Sequence, residues 1–251
     1  MAADDFLRVE GLTKAFGGRV ALRDATFSLA RGRALGLVGP SGSGKSTLAR
    51  CLAGLEVPDA GSIYLNRERE RAGGSAVQLI FQEAAASLNP GFTAEEIVAE
   101  PLAIRRQGTA AARRKAAAEW MEAVGLPRGS LRKRALAFSG GERQRLAIAR
   151  ALAAGPELLI LDESLSGLDV VLQAQMVRLV RGLRERFEIA TILITHDLAL
   201  AGRMSDEIAV MDEGRIVEHR EARALFAAPE HPRTRQMLAA SRALALEGAL
   251  P

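Results

Sequence analysis

Apolar positions along this 251-residue chain change rhythm three times, and the changes divide it. In the first part, short apolar runs predict strands at Phe6 to Glu10 and Ala25 to Ala30, separated by the turn-rich Phe16-Gly17-Gly18-Arg19. Ala34 to Val38 is a further apolar run that leads straight into a glycine-rich loop starting at Gly39. Thr47 to Leu55 then reads as a helix, ended by Pro58-Asp59-Ala60-Gly61, and Ser62 to Asn66 and Ala76 to Phe81 read as strands. From Thr93 to Ala154 the rhythm is helical and strand signals vanish. Thr93-Ala94-Glu95-Glu96 opens one helix with acids in its first turn; Thr109 to Val124 is another, stopped by Gly125-Leu126-Pro127. Strand signals return at Leu158 to Leu161, Ala190 to Thr195 and Ile208 to Met211, and Asp212-Glu213-Gly214 turns the last into a hairpin with Arg215 to Glu218. The final 25 or so residues are a helical, partly polar tail. No internal repeat is visible. The pattern predicts an α/β core with a helical segment inserted.

Composition narrows this. With 48% hydrophobic residues the chain has enough apolar mass for a real core, and at 4% aromatics that core must be built from Leu, Val, Ile and Ala. A formal charge of +4 is compatible with a nucleotide, a membrane-surface partner or nucleic acid, and selects none. The clusters Arg113-Arg114-Lys115 and Arg132-Lys133-Arg134 read as solvated faces, and no nucleic-acid partner is expected. Cys51 is the only cysteine, which excludes an internal disulfide and a cysteine metal cluster and fits a reducing cytosolic compartment. No apolar run approaches transmembrane length, and Met1-Ala2-Ala3-Asp4-Asp5 lacks the order of a signal peptide. Any membrane role is therefore expected through a partner.

The chemistry starts at Gly39-Pro40-Ser41-Gly42-Ser43-Gly44-Lys45-Ser46-Thr47, which matches G-x-x-x-x-G-K-[ST] between a strand and a helix. Its glycines let backbone N–H groups wrap phosphates, Lys45 is placed for the β- and γ-phosphates, and Ser46 for Mg²⁺. Lys45 is one of only four lysines, against thirty arginines. Leu158 to Leu161 reads as a buried strand, with Asp162 and Glu163 at its C-terminal end, where open α/β sheets bind ligands. Asp162 is expected to hold Mg²⁺ through its water shell, and Glu163 to orient and deprotonate the attacking water. His196 follows the apolar run Thr191 to Thr195 and is a candidate donor to a γ-phosphate; Gln82 ends the Ala76 to Phe81 strand and is a candidate ligand for the metal or its water.

Ser139-Gly140-Gly141-Glu142 stands apart. Two glycines open a helix here, although each costs roughly 1 kcal/mol relative to Ala. A capping box accounts for Ser139 and Glu142, and a bare helix start that receives a phosphate accounts for the glycines. Both readings stay open from this segment alone.

Taken together, the chain resembles an ABC-type ATPase. Walker A (Gly39 to Thr47), the glutamine loop (Gln82), the signature (Ser139 to Glu142), Walker B (Leu158 to Glu163), the aspartate loop (Ser166-Gly167-Leu168-Asp169) and the switch histidine (His196) occur in the family's order. Phe16 stands where that family places an adenine-stacking aromatic. Three segments, Gln82 to Pro90, Leu168 to Gln175 and His231 to Ala240, resemble the dipeptide/oligopeptide/nickel importer subfamily. Glu142 departs from the family's more frequent Gln, Glu83 from the subfamily's usual Asp, and Arg233 from a common aromatic. The tail also lacks the cysteines of some members.

The resemblance implies a RecA-like P-loop core with an N-terminal antiparallel β-subdomain (about 1–82 and 156–225), an inserted helical subdomain (about 83–155) and a helical tail (about 226–251). It implies ATP and Mg²⁺ as ligands, with Ser46, Gln82 and Asp162 around the metal and Glu163, His196 and Gln82 in catalysis. It further implies head-to-tail pairing with a second ATPase subunit, identical or a paralogue, in which Ser139, Gly140, Gly141 and Glu142 meet the partner's ATP and Asp169 lies at the interface. Two separate membrane permeases would complete an importer for peptides, nickel or a similar solute, with a substrate-binding protein as indirect partner and the ATPase peripheral on the cytoplasmic face of the inner membrane. An ATPase for a separate-chain exporter and a soluble non-transport ABC ATPase are the alternatives.

Overall fold

The computed structural model describes residues 5–66, 76–81, 86–165 and 167–247, with side chains to residue 242. In chain order the elements are β1 (Asp5–Phe16), β2 (Arg19–Ala30), β3 (Ala34–Val38), α1 (Lys45–Leu52), β4 (Ala60–Leu65), β5 (Val77–Ile80), α2 (Ala94–Ile104), α3 (Ala110–Ala123), α4 (Gly140–Ala153), β6 (Leu158–Asp162), α5 (Val170–Phe187), β7 (Ala190–Thr195), α6 (Leu198–Met204), β8 (Glu207–Asp212), β9 (Arg215–Glu221), α7 (Ala222–Ala227) and α8 (Pro232–Glu247). They group into two compact units, Met1–Arg67 with Ala190–Pro251, and Glu68–Ile189.

The first unit contains two kinds of sheet. β3, a run of apolar residues buried throughout, pairs in parallel with the equally buried β7 on one side and with β8 on the other. Continuous apolar runs suit central parallel strands, which are covered on both faces. β9 closes this set antiparallel to β8, through a turn in which Glu213 and Gly214 have φ of 45° and 84°. The second sheet is antiparallel, in the order β2-β1-β4. β1 and β2 are longer than the apolar runs predict. Gly11 (φ 61°) sits where the register shifts between Val9 and Leu12, so the period-2 pattern breaks while the strand continues.

α1 ends at Leu52, three residues before the expected Leu55. Gly54 takes a left-handed conformation, Leu55 N–H donates to Arg50 O at 2.9 Å and Gly54 N–H to Cys51 O at 3.1 Å. This is a Schellman stop, and it acts upstream of the proline. Cys51 is buried on α1, and burial pushes its thiol pKa up, so it is a packing residue rather than a nucleophile.

In the second unit β5 and β6 pair in parallel, and α2, α3 and α4 pack on one another around Ile97, Val98, Met121, Leu146 and Ile148. Helix starts here are set by side chains. Thr93 and Ser139 each form a full capping box, with Glu96 and Glu142, while Thr109 and Asp169 cap α3 and α5. An isolated bridge from Thr93 to Arg134 is the one strand-like contact described in this helical stretch. Among the described residues no helix is long and apolar enough to cross a membrane.

The tail belongs to the first unit and is anchored by a buried carboxylate. Glu218 on β9 accepts the N–H groups of Glu230 (3.0 Å) and His231 (2.9 Å) and the hydroxyl of Thr234 (2.5 Å). Burial pushes this carboxyl upward, but the hydrogen bonds, led by that from Glu230, outweigh it and hold the pKa below the usual value. A depressed folded-state pKa contributes stability that is present above the ordinary glutamate value, about 4.3, and is lost as pH falls through the folded one. Glu218→Gln should therefore cost about 1–3 kcal/mol at neutral pH. In urea melts its stability should fall less steeply than that of the wild type on acidification below that ordinary value. Equal slopes would remove Glu218 as a source of acid sensitivity.

Candidate functional site

The loop from Gly39 to Thr47 carries the chain from β3 into α1. Close packing requires two of its glycines: a Cβ on Gly39 would lie 2.1 Å from the Met211 carbonyl oxygen, and one on Gly44 (φ 105°) 2.4 Å from the Ala21 carbonyl oxygen. Lys45 is buried at the helix start, and its Nζ donates to the carbonyls of Gly39 and Pro40, each at 2.9 Å. The lysine charge is thus held within the loop's own curve. Ser43 is also buried, and its Oγ has no hydrogen-bond partner among the described residues. A buried hydroxyl without a partner is costly, and in a loop of this geometry a ligand oxygen would satisfy it. Ser41 and Gly42 lie exposed at the rim.

Two further residues named from the sequence belong to the same unit. His196 directly follows Thr195, the register partner of Val38 in the β3–β7 pair, so it leaves the sheet at the same edge as the loop. It is exposed there. Phe16 ends β1, is 44% exposed, and has Lys14 Nζ 5.2 Å from its ring centroid. Sequence reasoning missed Arg19: its Nη2 comes within 3.9 Å of a Cβ built on Gly42, which places a guanidinium beside the rim. The signal was present in the hairpin, since Arg19 closes the same glycine turn that Phe16 opens.

The second unit holds the acids. Asp162 ends β6 and is buried; Glu163 follows in the left-handed region, φ 48°. That conformation is uncommon for a residue with a side chain and is held only where surroundings demand it. The next turn is clamped by Gln144 of α4, itself buried, whose Nε2 donates to the Ser164 carbonyl at 2.8 Å. Nothing in the sequence spacing pointed to Gln144. Gln82, with Glu83, lies outside the described residues.

Ser139 N-caps α4. Its Oγ accepts from Glu142 N–H at 3.3 Å, and the Glu142 carboxylate accepts from Ser139 N–H at 2.8 Å. That backbone bond is the main reason the Glu142 pKa lies below the usual value, and Lys133 Nζ, 3.8 Å away, adds to it. The two glycines differ. A Cβ on Gly141 would press on Leu172 Cδ1 at 2.7 Å, whereas one on Gly140 would meet nothing within 4 Å among the described residues. Packing thus disfavours a side chain at 141 unless Leu172 shifts, and gives no such reason for Gly140. Asp169 caps α5 by accepting from Leu172 N–H at 2.9 Å, a local role its sequence position did not announce.

Among the described residues no cluster of three or more His, Cys, Asp or Glu could hold a metal. Of the residues expected around Mg²⁺, Ser46 in the first unit offers a hydroxyl and Asp162 in the second a carboxylate. Such hard oxygen donors, few in number, suit Mg²⁺ completed by phosphate and water oxygens.

Residues 22–166 match the sequence model of the family described as ABC transporter. A Brucella ovis protein described as a peptide import ATP-binding protein is 40% identical over 257 residues, spanning 96% of this chain and 80% of the relative. A Brucella abortus protein of the same description is 42% identical over 234 residues, 88% of this chain and 70% of its own length. Among solved structures, cbiO1 from Clostridium perfringens, part of the ABC transporter complex cbiONQ, superposes with a TM-score of 0.80 at 25% identity over 97% of this chain and 99% of that one. The dimeric post-hydrolysis state of the ATP-binding cassette MJ0796, bound to ADP and phosphate, gives 0.72 at 26% identity over 86% and 98%.

Proposed function

The chain belongs to the ABC transporter family as an ATP-binding cassette, and from that premise we propose that it hydrolyses ATP to energise import of peptides or a similar small solute, nickel included, through permeases on separate chains. The observation that carries the nucleotide reading is the loop at Gly39 to Thr47, with Lys45 held at its centre and Ser43 Oγ without a partner among the described residues. The import reading is supported by the relatives' description and by the tail motif at His231 to Ala240.

In this reading the loop N–H groups and Lys45 bind the β- and γ-phosphates, and Phe16 stacks on adenine. Ser46, Asp162 and Gln82 serve Mg²⁺, which when bound would neutralise charge on the phosphate oxygens. Glu163 takes a proton from the water that attacks the γ-phosphorus, as the bond to the ADP oxygen breaks. His196 donates a hydrogen bond to the γ-phosphate. The strained backbone at Glu163 supports a functional role, since about 1–3 kcal/mol is spent on holding the residue there.

Ser139, Gly140 and Gly141 are assigned to the ATP of a partner subunit, with Asp169 at the same interface. Glu142, which would repel that ATP, is folded back onto Ser139 and toward Lys133. The box leaves the N–H groups of Gly140 and Gly141 out of its own bonds, so cap and phosphate site are compatible. The ATPase would sit at the cytoplasmic membrane face by docking on its permeases.

Reconstitution tests the whole reading. Co-expressed with candidate permeases and placed in proteoliposomes, the chain should drive ATP-dependent accumulation of labelled peptide or nickel when the matching binding protein is supplied. ATP hydrolysis that moves solute only outward, or that proceeds without engaging any permease, would overturn the import assignment.

A further inference from the structure

The nucleotide loop has a floor made of residues that the reading above does not use. β8 runs beside β3 with Val38 opposite Val210, which brings Met211 level with Gly39. The Met211 carbonyl lies against Gly39, and its Cε is 2.9 Å from where a Cβ of Gly44 would stand. Past the turn, Gly214 donates its N–H to the Ser43 carbonyl at 3.0 Å, while its own carbonyl accepts from Arg23 N–H at 2.8 Å. Met211 and Gly214 therefore touch the loop at its start, Gly39, and at its middle, Ser43 and Gly44.

Within that floor stands Asp212, and the tail helix holds it. Arg233, in the first turn of α8, donates Nε–H to Asp212 Oδ2 at 2.8 Å. Asp212 draws the Arg233 pKa further up, so the guanidinium stays charged. The start of α8 is itself fixed by Glu218, as described. Further along, Leu238 shares one apolar cluster with Val38, the residue just before Gly39, and with Leu198 and Ala201 of α6. The tail thus reaches the loop along two routes, one ionic and one apolar.

We propose that Arg233 and Asp212 are positioning residues for nucleotide: the docked tail helix holds the β8–β9 turn, and through Met211 and Gly214 the loop, in its phosphate-receiving shape. ATP affinity is then tuned by tail docking. This rests on the assignment of Gly39 to Thr47 as the nucleotide site. Neither residue belongs to the loop or to the assigned catalytic set, so the expected effect is on binding rather than on the chemical step. Loss of the Asp212–Arg233 pair should raise Kd and KM for ATP and leave kcat unchanged.

The test uses the full chain with a fluorescent ATP analogue, steady-state ATPase kinetics and thermal melts. Arg233→Ala and Asp212→Asn should each weaken nucleotide binding roughly five-fold or more, in the range of ordinary coupling between sites. The charge-swapped double variant Asp212→Arg with Arg233→Asp should recover much of the loss. Arg235→Ala is the control, because its guanidinium bonds the carbonyls of Pro229 and Glu230 and not the turn. A merely structural tail contact would lower the melting temperature in both arginine variants and move KM in neither. The proposal falls if Arg233→Ala binds nucleotide as the wild type does, if Arg235→Ala raises KM equally, or if the swap restores nothing. Failure of the wild-type chain itself to bind ATP would instead remove the nucleotide reading.

Discussion

Glu163→Gln is expected to lower ATP turnover by roughly 10²–10⁴-fold, the usual contribution of a general base, while ATP binding persists. Glutamine keeps the volume and can still orient a water, but it cannot take the proton. It also tolerates the left-handed backbone at this position no worse than glutamate, so the turn after β6 should hold its shape. In the proposed site, loss of this negative charge should favour the ATP state. Phosphate release measures the loss, and size-exclusion chromatography with light scattering should show an ATP-dependent dimer that outlasts the wild-type one. Normal turnover in this variant would dismiss Glu163 as the base.

Lys45→Ala should act one step earlier, on binding. The ammonium group is held by two loop carbonyls at 2.9 Å, already in position for an anion. Its loss removes charge-assisted hydrogen bonds worth about 1.5–3 kcal/mol, roughly ten- to hundred-fold in Kd. Titration calorimetry with ATP reads this directly, and an unchanged Kd would mean that the loop N–H groups bind alone. The same variant tests trans action. Ser139→Arg spoils the signature and leaves the loop intact, so an equal mixture with Lys45→Ala contains heterodimers with one intact composite site. Partial recovery of hydrolysis in the mixture is expected if identical chains pair, and no recovery would favour a paralogue as partner.

The central strands were legible because β3 and β7 are buried on both faces and leave unbroken apolar runs, with the ends the sequence predicts. The expected α/β class and P-loop cassette fold are those of the solved relatives. Strand lengths in the antiparallel sheet were not legible, since the bulge at Gly11 shifts the alternation that defines a strand. At the site, what the sequence marks well is backbone that has to be glycine. It marks poorly what a side chain does once placed. Asp169 and Gln144 have roles visible only when the residue 3 or 20 positions away is located. Arg233 departs from an aromatic in the tail motif, and its meaning depends on Asp212, 21 positions upstream. Glu163 carries no sequence sign of its positive φ.

The contact between Gly141 and Leu172 makes two distant positions one unit of inheritance. A Cβ at 141 presses on the tip of Leu172, at the start of another helix, so alanine fits there only as far as that side chain gives way. A substitution scan across Ser139 to Glu142 would score Gly141 as intolerant and credit that to phosphate recognition, when part of the intolerance is steric and is relieved by trimming Leu172. Among the described residues Gly140 has no such silent partner, so its mutational tolerance should report on what meets the helix start. In drifting lineages residues 141 and 172 should covary, while 140 should stay fixed for as long as this helix start has something to receive.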